Sequence, residues 1–240
     1  FLFKWEWERH LRLCNLFTMS SMKTGRKRFF ILDGYALLYR AHFALIRNPL
    51  ITSYGLNTSA LFGFINQLLK IIKDEDPEYF ACAFDSKGKT FRHDMYEEYK
   101  ANRPPMPEEL QLQLPHLWEI LESMNIPVLK KKGVEADDII GTLAVNAQQK
   151  GLDTYIVSGD KDFMQLINDN IYLYAPGTKK NPNPIIYDSE KVQDKWGVPP
   201  DKIIDLLGLM GDSSDNVPGV SGVGEKTAVK LIKEYGSLKG

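Results

Sequence analysis

Three short apolar runs each end on an aspartate: Phe29-Phe30-Ile31-Leu32-Asp33, Tyr79-Phe80-Ala81-Cys82-Ala83-Phe84-Asp85 and Thr154-Tyr155-Ile156-Val157-Ser158-Gly159-Asp160. Their length and their aromatic and β-branched content predict buried strands. Each is followed by a stretch that reads as helix or loop, an alternation that makes the sheet parallel. A fourth strand is expected over Ile126 to Leu129, and Asn170 to Tyr187 reads as strands around a Pro/Gly/Lys loop. Elsewhere the apolar period lengthens. Tyr35 to Phe43 reads as a short helix, and Ser59 to Lys73 as a longer one with Leu61, Phe64, Ile65, Leu68, Leu69 and Ile72 on one face. A polar, aromatic-studded helix is expected over Phe91 to Lys100, before Arg103-Pro104-Pro105-Met106-Pro107 breaks the backbone. Pro107 opens a helix to about Met124, with Glu108 and Glu109 in its first turn. Ala136 to Lys150 reads as a helix stopped by Gly151. From Pro200 onward the chain reads as helical, with a glycine-rich break at 219–224. The pattern predicts an α/β fold with a parallel central sheet and flanking helices.

The 240 residues, 43% of them hydrophobic, suffice for one such domain with a small appendage. No run of about 18 apolar residues exists, so no membrane span is expected. Two cysteines, Cys14 and Cys82, cannot build a disulfide framework, and a Cys82 inside a buried strand fits a reducing, cytoplasmic setting. The net charge of −1 argues weakly against a nucleic-acid partner, unless the acids gather in one cleft with the bases around it. Residues 1–21 lack a clear period, an uninterrupted apolar stretch and a small-residue cleavage site. They read as upstream sequence or a disordered lead rather than a signal peptide. The end at Gly240, just past a helix, reads as an unfinished domain.

In open parallel sheets, ligands sit beyond the carboxyl ends of the strands, so Asp33, Asp85 and Asp160 should share one rim. Each carboxylate raises the pKa of the next, and a hard divalent metal with oxygen ligands is the economical holder. Asp162 lies two residues past Asp160. Glu135, Asp137 and Asp138 open the helix before the third run, and Asp212 and Asp215 form another i, i+3 pair. Any one of these nine acids alone is an ordinary cap or turn residue; three together at strand ends are not. His10, His42, His93 and His116 are scattered, so the site is all-oxygen, which selects Mg²⁺ or Mn²⁺ over Zn²⁺. So many carboxylates suggest two ions clamping a phosphoryl centre.

Between Asp85 and Pro104, Lys87, Lys89, Arg92, Lys100 and Arg103 interleave with Phe91, Tyr96 and Tyr99. Such a segment suits phosphates and unpaired bases, or is simply a solvated face with a few core aromatics. Leaving directly from Asp85, it should overhang the rim. Pro218 to Ala228 is neither a Walker A loop nor a dinucleotide fingerprint, because no strand precedes it and Glu225 follows Gly224. It is a tight interhelical turn, or one whose N–H groups meet an anion beside Lys226, Lys230 and Lys233.

The motifs occur together and in order: Leu32-Asp33-Gly34 with Tyr39-Arg40; Phe84-Asp85 with Phe91-Arg92-His93 and Tyr99-Lys100-Ala101-Asn102-Arg103; Glu135-Ala136-Asp137-Asp138; Ser158-Gly159-Asp160-Lys161-Asp162; and Gly211 to Val220 with Gly224-Glu225-Lys226-Thr227-Ala228. Over residues 28–240 the chain resembles the 5′ nuclease domain at the amino end of bacterial DNA polymerase I, within the flap endonuclease superfamily. The resemblance implies a PIN-like 5′ nuclease core at 22–199, a helical arch at about 86–107 and a C-terminal helix-hairpin-helix element at 200–240. It implies two divalent cations, Mg²⁺ or alternatively Mn²⁺. Asp33, Asp85, Glu135, Asp137 and Asp138 would lie nearer one ion, and Asp160, Asp162, Asp212 and Asp215 nearer the other. K⁺ is a further candidate at the helix-hairpin-helix. Arg92, Lys100 and Arg103 match the arch cations that act on the scissile phosphate. Tyr39, Arg40, Phe91 and Tyr99 match contacts to the 5′ strand, and Gly219, Val220, Gly222, Val223, Gly224, Lys226 and Thr227 contacts to duplex DNA. The implied activity is 5′-3′ exonuclease and 5′-flap endonuclease cleavage by a cytoplasmic monomer, without a protein nucleophile, on DNA that includes RNA-primed strands. A stand-alone exonuclease, a PIN-type RNA-cleaving toxin and a non-catalytic DNA-binding module are the alternatives. The glycine turn and long arch weigh against the toxin, and the intact acid set against the module.

Overall fold

A computed structural model describes residues 25–178 and 181–239; the lead at 1–21 lies outside them. Strand β1 (Arg28–Asp33) runs without a break into helix α1 (Gly34–Ala44). Helix α2 (Ser59–Glu75) leads to β2 (Tyr79–Ala83). The segment that follows holds one helix, α3 (Phe91–Met95), before α4 (Glu108–Gln111), α5 (Leu114–Ser123) and the short β3 (Val128–Leu129). Helix α6 (Ala136–Gln149) precedes β4 (Asp153–Val157), a 3₁₀ segment over Lys161–Leu166, and strands β5 (Ile171–Ala175) and β6 (Ile185–Tyr187). Helix α7 (Ser189–Trp196), helix α8 (Ile203–Met210), a ribbon of β7 (Gly211–Asp212) and β8 (Val217–Pro218), and helix α9 (Glu225–Tyr235) complete the chain.

The main sheet has the order β3-β2-β1-β4-β5-β6. The first five strands are parallel, and β6 closes the edge antiparallel to β5. Strand β1 is paired on both sides, and the order reverses between β1 and β4, the place where such sheets open a crevice. The expected α/β fold with a mostly parallel sheet is the one found. Alternation along β1 splits the core into two layers. Phe29 and Ile31 pack with Ile140, Ala144, Leu206 and Ile232 from α6, α8 and α9. Phe30 and Leu32 pack with Leu38, Phe64, Leu68 and Leu117 from α1, α2 and α5. Among the described residues no helix is long and apolar enough to cross a membrane.

Several elements depart from expectation. The buried stripe of α2 is Ala60, Phe64, Leu68 and Ile71, whereas Leu69 is 47% exposed. The helix expected from Pro107 to Met124 is two. Pro115 sits in the first turn of α5, where its missing N–H costs no helical bond. The intervening Gln113 is fully buried, donating to Glu109 O (2.9 Å) and accepting from Leu61 N (3.0 Å). Helix α3 stops at Met95 rather than Lys100. Residues Tyr99 to Arg103 instead bond to the loop between β7 and β8, as described below. That loop and its ribbon stand where continuous helix was expected, and α7 was not anticipated. Its signs are an Asp188 cap bonded to Lys191 N (2.9 Å) and Gly197 at φ +72°.

The β7–β8 ribbon depends on two glycines. Gly211 has φ +75°, and a Cβ there would lie 2.7 Å from Val217 O and closer still to Gly219 N. Gly219 is pressed in turn against the Met210 and Gly211 backbones. Gly211→Ala should therefore destabilise the protein by about 1–3 kcal/mol in equilibrium urea unfolding; an unchanged midpoint would show that the ribbon does not need this close approach.

Candidate functional site

The nine acids reach the carboxyl end of the sheet from five chain segments. Asp33 ends β1 and caps α1, accepting from Ala36 N (3.2 Å), while its other oxygen accepts from the Ser158 hydroxyl (2.9 Å). Ser158, fully buried after β4, also accepts from Asp160 N (3.1 Å), so one hydroxyl ties together two of the strand-end acids. Asp160 starts the 3₁₀ segment by accepting from Asp162 N (2.9 Å). Asp85, two residues past β2, accepts from Ala136 N (2.7 Å) and so anchors the amino end of α6. Glu135, Asp137 and Asp138 stand at that same helix end, where Glu135 N donates to Asp138 (2.9 Å). Asp212 and Asp215 flank the turn between β7 and β8.

These acids fall into two groups. Four are matched to cations. Asp138 takes a bidentate pair from Arg92 (2.8 Å each), Glu135 meets Lys100 Nζ at 2.9 Å, Asp215 meets Arg103 at 2.6 Å and Asp212 meets Lys161 Nζ at 3.1 Å. Asp33, Asp85, Asp137, Asp160 and Asp162 are in no ion pair among the described residues. This division cuts across the assignment to two ions that the family resemblance implies.

Three of the unpaired acids have raised proton affinity. Burial, then repulsion from Asp33, Asp160 and Asp85, pushes Asp137 up to about 8. Burial raises Asp33 to about 6, with Asp160 and Asp85 adding to it, and raises Asp162 to about 6, with Asp160 and Asp212 adding. The hydrogen-bonded Arg92 guanidinium instead holds Asp138 below the usual carboxylate range.

Among the described residues no three acidic, histidine or cysteine side chains stand close enough to enclose a metal ion. The chemistry of the donor set nevertheless fits a hard divalent cation. It is all oxygen, five carboxylates lack a cation, and the buried Asp162 Oδ1 has no hydrogen-bond partner.

The basic segment lies over this rim and is fastened to the β7–β8 turn. Lys100 N donates to Asp215 O (2.9 Å), Asn102 to Ser213 O (3.0 Å), Arg103 Nε to Ser214 O (3.2 Å) and Asn216 to Glu98 O (2.8 Å). Lys100 takes a left-handed φ of +56° to do so. Tyr99 is only 7% exposed, its hydroxyl lying 3.0 Å from Glu135 and 2.9 Å from Asp215, so its ring is not presented for stacking in this arrangement. Phe91 is exposed beneath the Arg92 guanidinium, 4.6 Å from its centroid.

Tyr39 stacks on Phe43, and Arg40 donates to Pro176 O (2.8 Å) and to Gly177 O. Arg40, Phe43, Arg47 and Gly177 help line an open hollow of about 710 Å³ that none of the nine acids reaches. In the glycine turn, Gly222 has φ +78° and open space around it, and Gly224 starts α9. Val220 N bonds Leu209 O (2.8 Å), Val223 packs on the core, and Lys226 and Thr227 are exposed.

Sequence reasoning gave no role to Ser158 or Lys161. A hydroxyl two residues before a strand-end aspartate was the available sign of the first. Lys161, between two candidate ligands, was the sign of the second.

Models of the 5′-3′ exonuclease family match residues 28–240: the N-terminal resolvase-like domain covers residues 28–197 and the C-terminal SAM fold residues 198–240. The chain belongs to the 5′-3′ exonuclease family, a class of nucleases. It is 46% identical over 210 residues to DNA polymerase I of Caldicellulosiruptor bescii, covering 87% of this chain but 24% of that relative. It is 44% identical to the 5′-3′ exonuclease of Aquifex aeolicus, covering 89% of this chain and 71% of that one. The fold matches bacteriophage T5 5′-exonuclease with bound zinc at TM-score 0.68 and 22% identity, over 88% of this chain and 76% of that one. It also matches the catalytic core of Rad2 with DNA at TM-score 0.58 and 21% identity, over 90% and 63%.

The raised Asp137 carboxyl carries a sign for stability. Its value is 3.8 ordinarily and about 8 in the fold, so the folded protein binds the proton more tightly. Its contribution is complete below pH 4 and is lost as pH rises toward 8. Asp138 acts in the opposite sense, but only in acid, below its ordinary value. Metal-free protein should therefore lose stability between pH 5 and 8, and Asp137→Asn should flatten that slope and stabilise the protein at pH 8 by about 1 kcal/mol or more. Urea titrations across the range check this, and parallel curves for the two proteins would refute it.

Proposed function

We propose that this chain hydrolyses DNA phosphodiesters at nicks, 5′ ends and 5′ flaps, using divalent cations held at the rim of the sheet. The single observation that carries the reading is the set of five carboxylates without an ion-pair partner among the described residues, four at or just past the ends of β1, β2 and β4 and Asp137 at the amino end of α6, in a chain of the 5′-3′ exonuclease family. Asp33, Asp85, Asp137, Asp160 and Asp162 would hold the ions. Glu135, Asp138, Asp212 and Asp215 would join them as their cation partners turn to the substrate. Mg²⁺ and Mn²⁺ suit this donor set. When bound, such ions supply Lewis-acid charge for attack of water on a phosphoryl centre.

The chain's own residues supply the remaining work. Lys100, Arg103 and Arg92 exchange their carboxylates for the phosphate of the 5′ strand, and the bidentate geometry of Arg92 suits either partner. Phe91 offers an exposed ring, and Tyr99 one if the segment lifts. Tyr39 and Arg40 flank the path of the 5′ strand. The N–H groups around Gly222 and Gly224, with Lys226, Thr227 and the exposed α9 lysines, hold duplex phosphates without reading sequence, and a K⁺ ion there would add to the grip. Gly219 serves by close packing instead. No side chain is placed as a nucleophile.

The chain spans 24% of the length of the Caldicellulosiruptor DNA polymerase I and 71% of the Aquifex exonuclease. Primer removal and nick translation beside a polymerase, and action as a monomeric stand-alone exonuclease, use the same site.

Cleavage of a 5′-labelled flap duplex tests the reading. Mg²⁺ should release a short 5′ product, and EDTA should abolish it. Asp85→Asn should slow cleavage at least about 100-fold while leaving duplex affinity within a few-fold. Single-stranded RNA of equal length should stay intact. Equal losses in cleavage and affinity, or preferential RNA cutting, would overturn the assignment.

A further inference from the structure

We infer that Phe84 and Gly34 are positioning residues that set the spacing of Asp33 and Asp85, and through it the fit of the divalent cation; the inference rests on the metal-holding role proposed above. Strands β1 and β2 are nearest neighbours, with Asp33 paired to Ala83. The chain therefore leaves the sheet side by side as Asp33-Gly34 and as Ala83-Phe84-Asp85. The Phe84 ring lies directly across Gly34. A Cβ on Gly34 would stand 2.5 Å from Phe84 Cδ1 and closer still to Cε1 and Cζ. Gly34 is an ordinary right-handed helical residue in the first turn of α1, so backbone freedom does not call for a glycine there. The ring does.

Nor can the ring step aside. Phe84 is fully buried, edge-on to Trp118 (4.6 Å, 87°) and to Tyr35 (5.2 Å, 84°), with Phe64 at 6.3 Å. Lys130 Nζ sits 3.3 Å from the Trp118 centroid and 5.4 Å from that of Phe84, closing the stack from outside. The backbone is held as well, since Phe84 N donates to Leu129 O (3.0 Å). The carboxylates on either side are equally fixed: Asp33 by Ala36 N and Ser158, Asp85 by Ala136 N. A methyl on Gly34 must therefore be absorbed by spreading the two strand ends, which is the separation between Asp33 and Asp85.

The test is a Mn²⁺ titration of the whole chain followed by EPR, with unfolding midpoints measured beside it. Gly34→Ala should weaken Mn²⁺ binding about tenfold or more, the scale on which residues behind metal ligands act. Adding Phe84→Leu should recover most of that loss by making room for the methyl. If Gly34→Ala does not fold, Phe84→Leu alone decides, because a smaller spacer should also weaken Mn²⁺ binding several-fold. Parental affinity in folded Gly34→Ala, or in Phe84→Leu when only that variant folds, overturns the inference and leaves the metal site standing. So does a folded double variant that recovers nothing. A parent chain that binds no Mn²⁺ removes the metal reading itself and the inference with it.

Discussion

Mutual repulsion among carboxylates is the constraint around which this molecule is arranged. Five parallel strands direct their ends to one side of the sheet, and the chain places nine acids there rather than spreading them. Uncompensated, that much like charge would strain the rim. Two devices contain it. Four of the acids take the chain's own cations, from the segment after β2 and from Lys161. Others are tied by neutral donors, such as the Ser158 hydroxyl and the amides of Ala36 and Ala136, and Asp33, Asp137 and Asp162 take up protons more readily than usual. Neutral donors hold a carboxylate's position without cancelling its charge, which leaves it able to bind a cation.

The fold follows from the same requirement. Asp33 passes from strand to helix cap without an intervening residue, and Asp85 anchors the amino end of α6 across the rim. The C-terminal helices share the buried layer of α6, so the β7–β8 turn that carries Asp212 and Asp215 is mounted on the core. Gly211 and Gly219, pressed against each other's backbones, fix the direction of that turn.

Much of this was legible in the residues. An apolar strand closing on an aspartate is a local pattern, and local patterns survive folding, so β1, β2, β4 and the helices α1, α2 and α6 were foreseeable. The misplaced boundaries lie where tertiary contact outweighed propensity. Phe91, Tyr96 and Tyr99 suggested a helix to Lys100, but the backbone turns at Met95 to meet the β7–β8 turn. Helix α7 buries little besides Val192 and so has almost no apolar period to read. All nine acids could be named in advance. Which of them would have cation partners could not, because Arg92 and Asp138, or Arg103 and Asp215, meet only through the three-dimensional path of the chain.

The fastening of Lys100, Arg103 and Arg92 onto acids bears on how the molecule behaves in a cell crowded with nucleic acid. A protein with a bare basic strap would stick to any polyanion it met. Here three of the strap's cations, Arg92, Lys100 and Arg103, are already paired with acids of the rim. The charge of those three becomes fully available only when something else satisfies the acids beneath. Stickiness is thereby made conditional, and indiscriminate adhesion is held down without the loss of a single cation.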